Sequence, residues 1–334
     1  MVERIKLKRS VGGGNYFAAP KTDVDFISSG SRVLDQALGG GWAEGRIANI
    51  VGDKSSGKTL LCIEAAANFA LKYPRGCIRY REAEAAFDNA YAAALGMPVD
   101  RVDFGNPIET VEDMFEDLTK VAEKSTQDEL YICDSLDALT DRSEMGRDID
   151  EGSYGTGKAK KMSEMFRRLV RKLADARVTL IIISQVRDNI GVTFGRKTKR
   201  TGGRALDFYA SQVVYLAQIG TISRTIHGIK RTTGVKVRAK LDKNKIGLPF
   251  READFSIQFG YGVDDMGACL DWLTANQFLG DVGLTKPKLA DYIKSLRALS
   301  DEEYAKEIKR VQNAVTERWW EVESWFLPQR KKYA

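Results

Sequence analysis

Apolar residues along this chain fall into two rhythms. Short, nearly continuous runs alternate with stretches in which apolar residues recur every three or four positions. Arg46-Ile47-Ala48-Asn49-Ile50-Val51, Cys77-Ile78-Arg79-Tyr80, Leu130-Tyr131-Ile132-Cys133 and Thr179-Leu180-Ile181-Ile182-Ile183 are the runs, each of a length that suits a buried strand. Helix-period segments separate them, from residue 58 to about 72 and from 111 to 121. Strands apolar on both faces, divided by amphipathic helices, predict an α/β fold: a mostly parallel sheet flanked by helices. Val213-Val214-Tyr215-Leu216, Val235-Lys236-Val237-Arg238 and Phe255-Ser256-Ile257 follow with no helix between them. The sheet is therefore expected to end in antiparallel strands at one edge.

The pattern runs from about residue 27 to 262 and changes at both ends. Residues 1–26 hold Gly12-Gly13-Gly14 and Pro20 and read as an N-terminal arm that either docks on a neighbour or is disordered. Residues 263–334 read as a small, helical C-terminal domain that closes on Trp319, Trp320, Trp325, Phe326 and Arg330-Lys331-Lys332. Its large aromatics are expected to pack internally. One further helix carries Met162, Met165, Phe166, Leu169, Val170 and Leu173 on one face and Arg167, Arg168, Arg171 and Lys172 on the other. Taken alone, that is a packed helix with a solvated basic face.

Composition narrows the setting. No run of eighteen apolar residues occurs, and the basic opening, residues 1–9, lacks the apolar stretch of a secretory signal. A cytoplasmic protein with no membrane partner is expected. The four cysteines, Cys62, Cys77, Cys133 and Cys269, sit in apolar sequence without a CxxC pair and read as buried free thiols. The single histidine, His227, reads as an exposed loop residue. The net charge of +6, from 52 basic and 46 acidic side chains, only weakly favours a polyanionic partner.

The chemistry starts at Gly52-Asp53-Lys54-Ser55-Ser56-Gly57-Lys58-Thr59, which fits GxxxxGK[ST] between a strand and a helix. Glycines let the backbone curl so that successive N–H groups face phosphates, and the helix N-terminus adds positive potential. Lys58 supplies a mobile charge to the β- and γ-phosphates, and the Thr59 hydroxyl ligates Mg²⁺. A neighbouring strand that ends in Asp134 offers a carboxylate for the same metal. ATP and Mg²⁺ are the cofactors this implies. Hydrolysis also needs a group that orients and deprotonates water. Glu82 and Glu84 both follow the second strand, and spacing alone does not choose between them.

Several segments, in order, resemble the RecA family of strand-exchange recombinases. Ile27-Ser28-Ser29-Gly30-Ser31 with Leu34-Asp35 and Ala37-Leu38-Gly39 is similar to that family's entry segment. Tyr80-Arg81-Glu82-Ala83-Glu84-Ala85-Ala86-Phe87-Asp88 is similar to the block that holds its catalytic glutamate, and position gives that role to Glu84. Asp88 and Tyr91 match adenine-contacting positions. The stretch from Ser184-Gln185-Val186-Arg187 to Phe194-Gly195, closed by Thr201-Gly202-Gly203, resembles the switch strand and second DNA-binding loop. Lys243-Asn244-Lys245-Ile246 matches the segment whose two lysines reach ATP on the next subunit.

The resemblance covers residues 27 to 262 and implies a RecA-like P-loop NTPase core. It makes Glu84, Lys58, Gln185, Lys243 and Lys245 the catalytic set, with Gln185 sensing nucleotide and moving the loop. It implies DNA contacts from a first loop at about 142–160 and a second at about 186–203. The DNA-binding residues would be Lys160, Arg167, Arg187, Ile190, Phe194, Arg196, Lys197, Gly202 and Gly203. Bases there neutralise phosphates and apolar side chains wedge between stacked bases. The function implied is a DNA-dependent ATPase that forms a filament on single-stranded DNA and exchanges strands with double-stranded DNA. Its partners would be both forms of DNA, further copies of itself, and single-strand-binding or loader proteins. A ring-forming helicase or a regulatory ATPase on the same core is the alternative. The chain departs from the family at Asp207, where many members carry lysine, and in ending basic rather than acidic.

Overall fold

The computed structural model describes residues 23–145, 156–188, 198–200 and 205–328. The first half of the chain runs β1 (Phe26–Ile27), α1 (Arg32–Leu38), β2 (Trp42–Ala43), β3 (Ile47–Gly52), α2 (Lys58–Lys72), β4 (Cys77–Glu82), α3 (Asn89–Ala94), β5 (Val102–Asp103), α4 (Val111–Lys124) and β6 (Glu129–Asp134). Next come α5 (Arg142–Met145), α6 (Thr156–Asp175), β7 (Val178–Asp188), β8 (Thr198–Arg200) and α7 (Ala205–Tyr209). The rest is β9 (Gln212–Ile226), β10 (Ile229–Asn244), β11 (Glu252–Gln258), β12 (Gly262–Asp264), α8 (Asp265–Ala275), α9 (Lys286–Ser295) and α10 (Asp301–Trp325).

The main sheet has the order β12-β11-β10-β9-β3-β7-β6-β4-β5, with β8 paired to β7. Pairing is parallel from β9 through β3, β7, β6 and β4 to β5, and antiparallel from β9 out to β12. This is the expected parallel sheet with an antiparallel edge. Alternation along each central strand sends side chains to opposite faces. Ile50, Ile132 and Ile183 enter one apolar cluster; Val51, Cys133 and Ile182 enter the other. The first cluster is covered by α1, α2, α8 and α10, the second by α4, α6 and α7.

Local sequence explains the helices. Thr110 and Asp113 close a reciprocal capping box on α4, which buries Val111, Met114, Leu118 and Val121. Ser300 and Glu303 do the same for α10. On α6 the buried seam is Met162, Phe166, Leu169 and Leu173, whereas Val170 faces solvent. The basic face of this helix is largely matched by acids: Arg168 pairs with Glu164, Arg171 with Asp175 and Lys172 with Glu123.

Some boundaries differ from the sequence reading. Phe26 pairs with Ala43 and belongs to the core side of the arm. The first loop is shorter than 142–160, because α6 already begins at Thr156. Leu270 and Leu273 of α8 and Val311, Val315 and Trp319 of α10 join the same apolar cluster as α1 and α2. Trp272 and Trp320 pack against it, while Trp325 and Phe326 are exposed. Cys62, Cys133 and Cys269 are buried and Cys77 is half-buried, all four as free thiols. His227 stands in the exposed turn between β9 and β10. Among the described residues no helix is long and apolar enough to cross a membrane.

Candidate active site and nucleic-acid interface

The C-terminal ends of β3, β7, β6 and β4 lie side by side, and the candidate residues leave from them. Gly52 pairs with Gln185, and Asp134 with Glu82, so the tier is set by sheet register. Open α/β sheets bind ligands at this end of their strands.

After β3, residues 52–57 fold into a loop with a positive φ at Ser55 and Gly57. Gly57 sits at the helix entrance with φ 90°, and a Cβ there would stand 2.4 Å from Ile257 Cδ1. At Gly52 a Cβ would stand 2.5 Å from Ser56 Oγ and 2.9 Å from the Leu216 carbonyl. Both positions therefore need glycine. Ser56 Oγ and Lys58 Nζ both donate to the Asp53 carbonyl, at 2.8 and 2.7 Å, and the Lys54 amide donates to Asp53 Oδ1 at 2.7 Å. Lys58 is buried. Burial holds its ammonium below the usual lysine range, opposed by the charges of Asp134, Asp53, Glu84 and Asp137. An arriving phosphate would restore what burial removes.

Thr59 Oγ1 donates to Asp134 Oδ2 at 2.9 Å, and Tyr80 Oη donates to the same oxygen at 2.7 Å. A hydroxyl and a carboxylate in contact at a helix N-terminus fit Mg²⁺, a hard cation that takes one or two protein oxygens and completes its shell with phosphates and water. Burial raises the Asp134 pKa despite the two hydrogen bonds, which work in the opposite direction. A cation would offset that penalty. The residues present therefore fit both ATP and Mg²⁺.

The two glutamates divide cleanly. Glu82 accepts backbone N–H groups from Glu84, Ala85 and Ala86 at 2.7–3.1 Å, so its carboxylate builds the turn. Glu84 faces the site instead. Its Oε1 accepts from Ser135 Oγ at 2.5 Å and from Gln185 Nε2 at 3.1 Å. Asp88 caps α3 by accepting the Tyr91 amide at 3.0 Å, and Tyr91 stands partly exposed beside it.

Lys243 and Lys245 lie elsewhere. Lys243 Nζ donates to the Asp207 and Phe208 carbonyls, and Lys245 Nζ to that of Phe208 at 3.4 Å, at the C-terminal end of α7. A cation is favoured at such an end. Lys243 pairs with Val213, which pairs with Asn49, three residues before Gly52. The lysines therefore leave the sheet about 10 Å, measured along the strand, on the far side from the phosphate loop.

Of the expected DNA contacts, Lys160 and Arg167 are exposed on α6, and Arg167 Nε donates to Tyr209 Oη at 3.5 Å. Arg187 stands near the end of β7, with its side chain outside the described residues. Ile190, Phe194, Arg196, Lys197, Gly202 and Gly203 also lie outside them. Lys158, in the first turn of α6, is half-buried and donates to the carbonyls of Leu136 and Leu139.

Sequence reasoning missed Tyr80, Ser135 and Asp137 as members of the site. Their partners are 54, 51 and 48 residues away in the chain, and no local motif marks them.

The family model described as "RecA N-terminal domain" matches residues 6–264. The chain is 35% identical over 269 residues to Protein RecA of Prochlorococcus marinus (strain NATL1A), covering 80% of this chain and 69% of that protein. Identity is again 35% to Protein RecA of Synechocystis sp., covering 80% and 74%, and of Nostoc punctiforme, covering 80% and 72%.

Proposed function

We propose that this chain, which belongs to the RecA family, is a DNA-dependent ATPase that assembles head to tail on single-stranded DNA and exchanges strands with a homologous duplex. One observation carries the reading: Glu84 and Gln185 are hydrogen-bonded to each other beside the Thr59–Asp134 pair, while Gln185 is the last residue of β7 paired with β3, beyond which β7 runs on to Asp188 toward the second loop. The group that would activate water and the group that would move the loop thus share one contact.

That geometry, together with the family resemblance, supports the following assignment of steps to this chain's residues. The amides of residues 53–59 and Lys58 bind the triphosphate. Thr59 and Asp134 would hold Mg²⁺, which would supply charge neutralisation for the triphosphate. Glu84 orients a water in line with the γ-phosphorus and takes its proton on a carboxylate oxygen. Ser135 and Gln185 fix the carboxylate, leaving Oε2 as the better-placed base. Asp88 and Tyr91 form the adenine side. Lys243 and Lys245 stabilise the transition state on the neighbouring subunit's ATP, a contribution of about 10³–10⁵ in rate for such groups. The two loops and the exposed Lys160 and Arg167 grip phosphates, so base pairing reads the sequence and the protein does not. The site of action is the cytoplasm.

The test is phosphate release from ATP with and without single-stranded DNA at two salt concentrations. Strong stimulation by DNA, weakened by salt and abolished by Lys58→Ala, is the expected result. Hydrolysis indifferent to DNA would transfer the assignment to a regulatory ATPase or a ring-forming helicase on the same core.

A further inference from the structure

Between Asp134 and α5 the chain makes a turn with contacts in three directions. It begins at the proposed metal ligand, Asp134, whose peptide bond to Ser135 is cis. Ser135 reaches Glu84, as above. The Leu136 amide donates to the Ile183 carbonyl on β7 at 3.0 Å. The carbonyls of Leu136 and Leu139 accept Lys158 Nζ from the first turns of α6. Asp137 completes the set: its Oδ2 accepts the backbone amide of Gln185 at 2.6 Å. Gln185 is thus gripped twice, by Glu84 through its side chain and by Asp137 through its backbone. The other oxygen, Asp137 Oδ1, is buried and has no hydrogen-bond partner among the described residues. An unpartnered buried carboxylate oxygen costs stability, so stability alone does not account for an aspartate here.

We infer that Asp137 is a positioning residue that locks the Gln185 backbone, so that nucleotide bound at Asp134 and Glu84 sets the arrangement of the second loop. The inference rests on the proposed function and extends it: the nucleotide signal leaves the site by two carboxylates. The same turn ties the root of the first loop, through Lys158, to the root of the second, through Gln185. One turn, starting at the proposed metal ligand, therefore contacts a described residue beside each loop. A coupling element of this sort has two discrete arrangements, with Gln185 held or released.

The test uses the full chain with Asp137→Ala and Asp137→Asn. Asparagine keeps an oxygen that accepts the Gln185 amide but removes the charge; alanine removes both. Two readouts are compared. The first is limited trypsin cleavage at Arg196, Lys197, Lys199 and Arg200, with and without Mg²⁺ and a non-hydrolysable ATP analogue. The second is the DNA-stimulated ATPase rate, resolved into kcat and KM.

In the wild type the analogue changes the cleavage rate. In Asp137→Ala that change is lost, kcat with DNA falls on the order of tenfold, as expected for a hydrogen bond to a charged group, and KM for ATP stays within about twofold. Asp137→Asn recovers most of both signals. Three results overturn the inference: Asp137→Ala matching the wild type in cleavage, Asp137→Asn failing as fully as alanine, or a raised KM as the main effect. The last two assign the carboxylate to the charge balance of Lys58 and the phosphates. A wild type with no DNA stimulation defeats the proposed function, while trypsin cleavage still judges the role of Asp137.

Discussion

At the scale of the residue, burial decides which carboxylates strain the fold. Asp35 is buried in α1, and its pKa is pushed up to about 6. Desolvation is the main cause, opposed by Arg32 and by hydrogen bonds from Ser28 Oγ and from Ser29 N and Oγ, each at 2.7 Å. The folded state therefore binds this proton more tightly than the unfolded state does. Between the ordinary aspartate value near 4 and about 6, the folded chain holds more protons, so stability from this group is lost as pH rises through that window. A shift of about two units corresponds to about 3 kcal/mol. Thermal unfolding of Asp35→Asn against wild type should show a Tm difference that moves in favour of the variant from pH 4 to 7 and is flat above. Parallel curves across that range would contradict the assignment. The site divides in a similar way between local and distant causes. Lys58, Thr59 and the flanking glycines were legible in the sequence because a phosphate cradle is built from one short segment. Tyr80, Ser135 and Asp137 were not, because the register of β4, β6 and β7 creates their contacts.

At the scale of the element, the parallel strands were legible because both of their faces are buried. The hairpin of β9 and β10 was not. Only residues 213–216 and 235–238 read as strand, yet β9 runs to Ile226 and β10 starts at Ile229. The outer halves of both are exposed and lack the two-residue alternation that marks a half-buried strand. Charge is distributed unevenly along this ribbon. Residues 219–241 carry Arg224, Lys230, Arg231, Lys236, Arg238 and Lys240 and no acid. On the inner part, Arg238 pairs with Asp254 at 2.7 Å and Lys240 with Glu252 at 3.0 Å, both on β11. Farther out, Arg224 stands directly opposite Arg231. Like charges opposite one another on a ladder are destabilising. Arg231→Glu should therefore raise the Tm, and more so at low salt than at high salt. An unchanged or lowered Tm at low salt would mean that the two guanidinium groups do not oppose each other in solution.

At the scale of the whole molecule, the sheet separates the two halves of the proposed catalytic centre. The phosphate loop leaves the C-terminal end of β3, and Lys243 and Lys245 leave the opposite end of the same sheet region. The sequence match alone suggested that these lysines serve another subunit; their strand register, set back from the phosphate loop, supports that proposal. In the proposed head-to-tail array, each interface would join one subunit's Glu84 to the next subunit's lysines. The most direct measurement mixes two inactive proteins, Glu84→Ala and the double variant Lys243→Ala/Lys245→Ala, on single-stranded DNA and follows phosphate release. The mixture should hydrolyse ATP although neither component does so alone, since roughly a quarter of randomly formed interfaces join an intact glutamate to intact lysines. A mixture as inactive as its components would show that each site is complete within one chain, and would contradict the account.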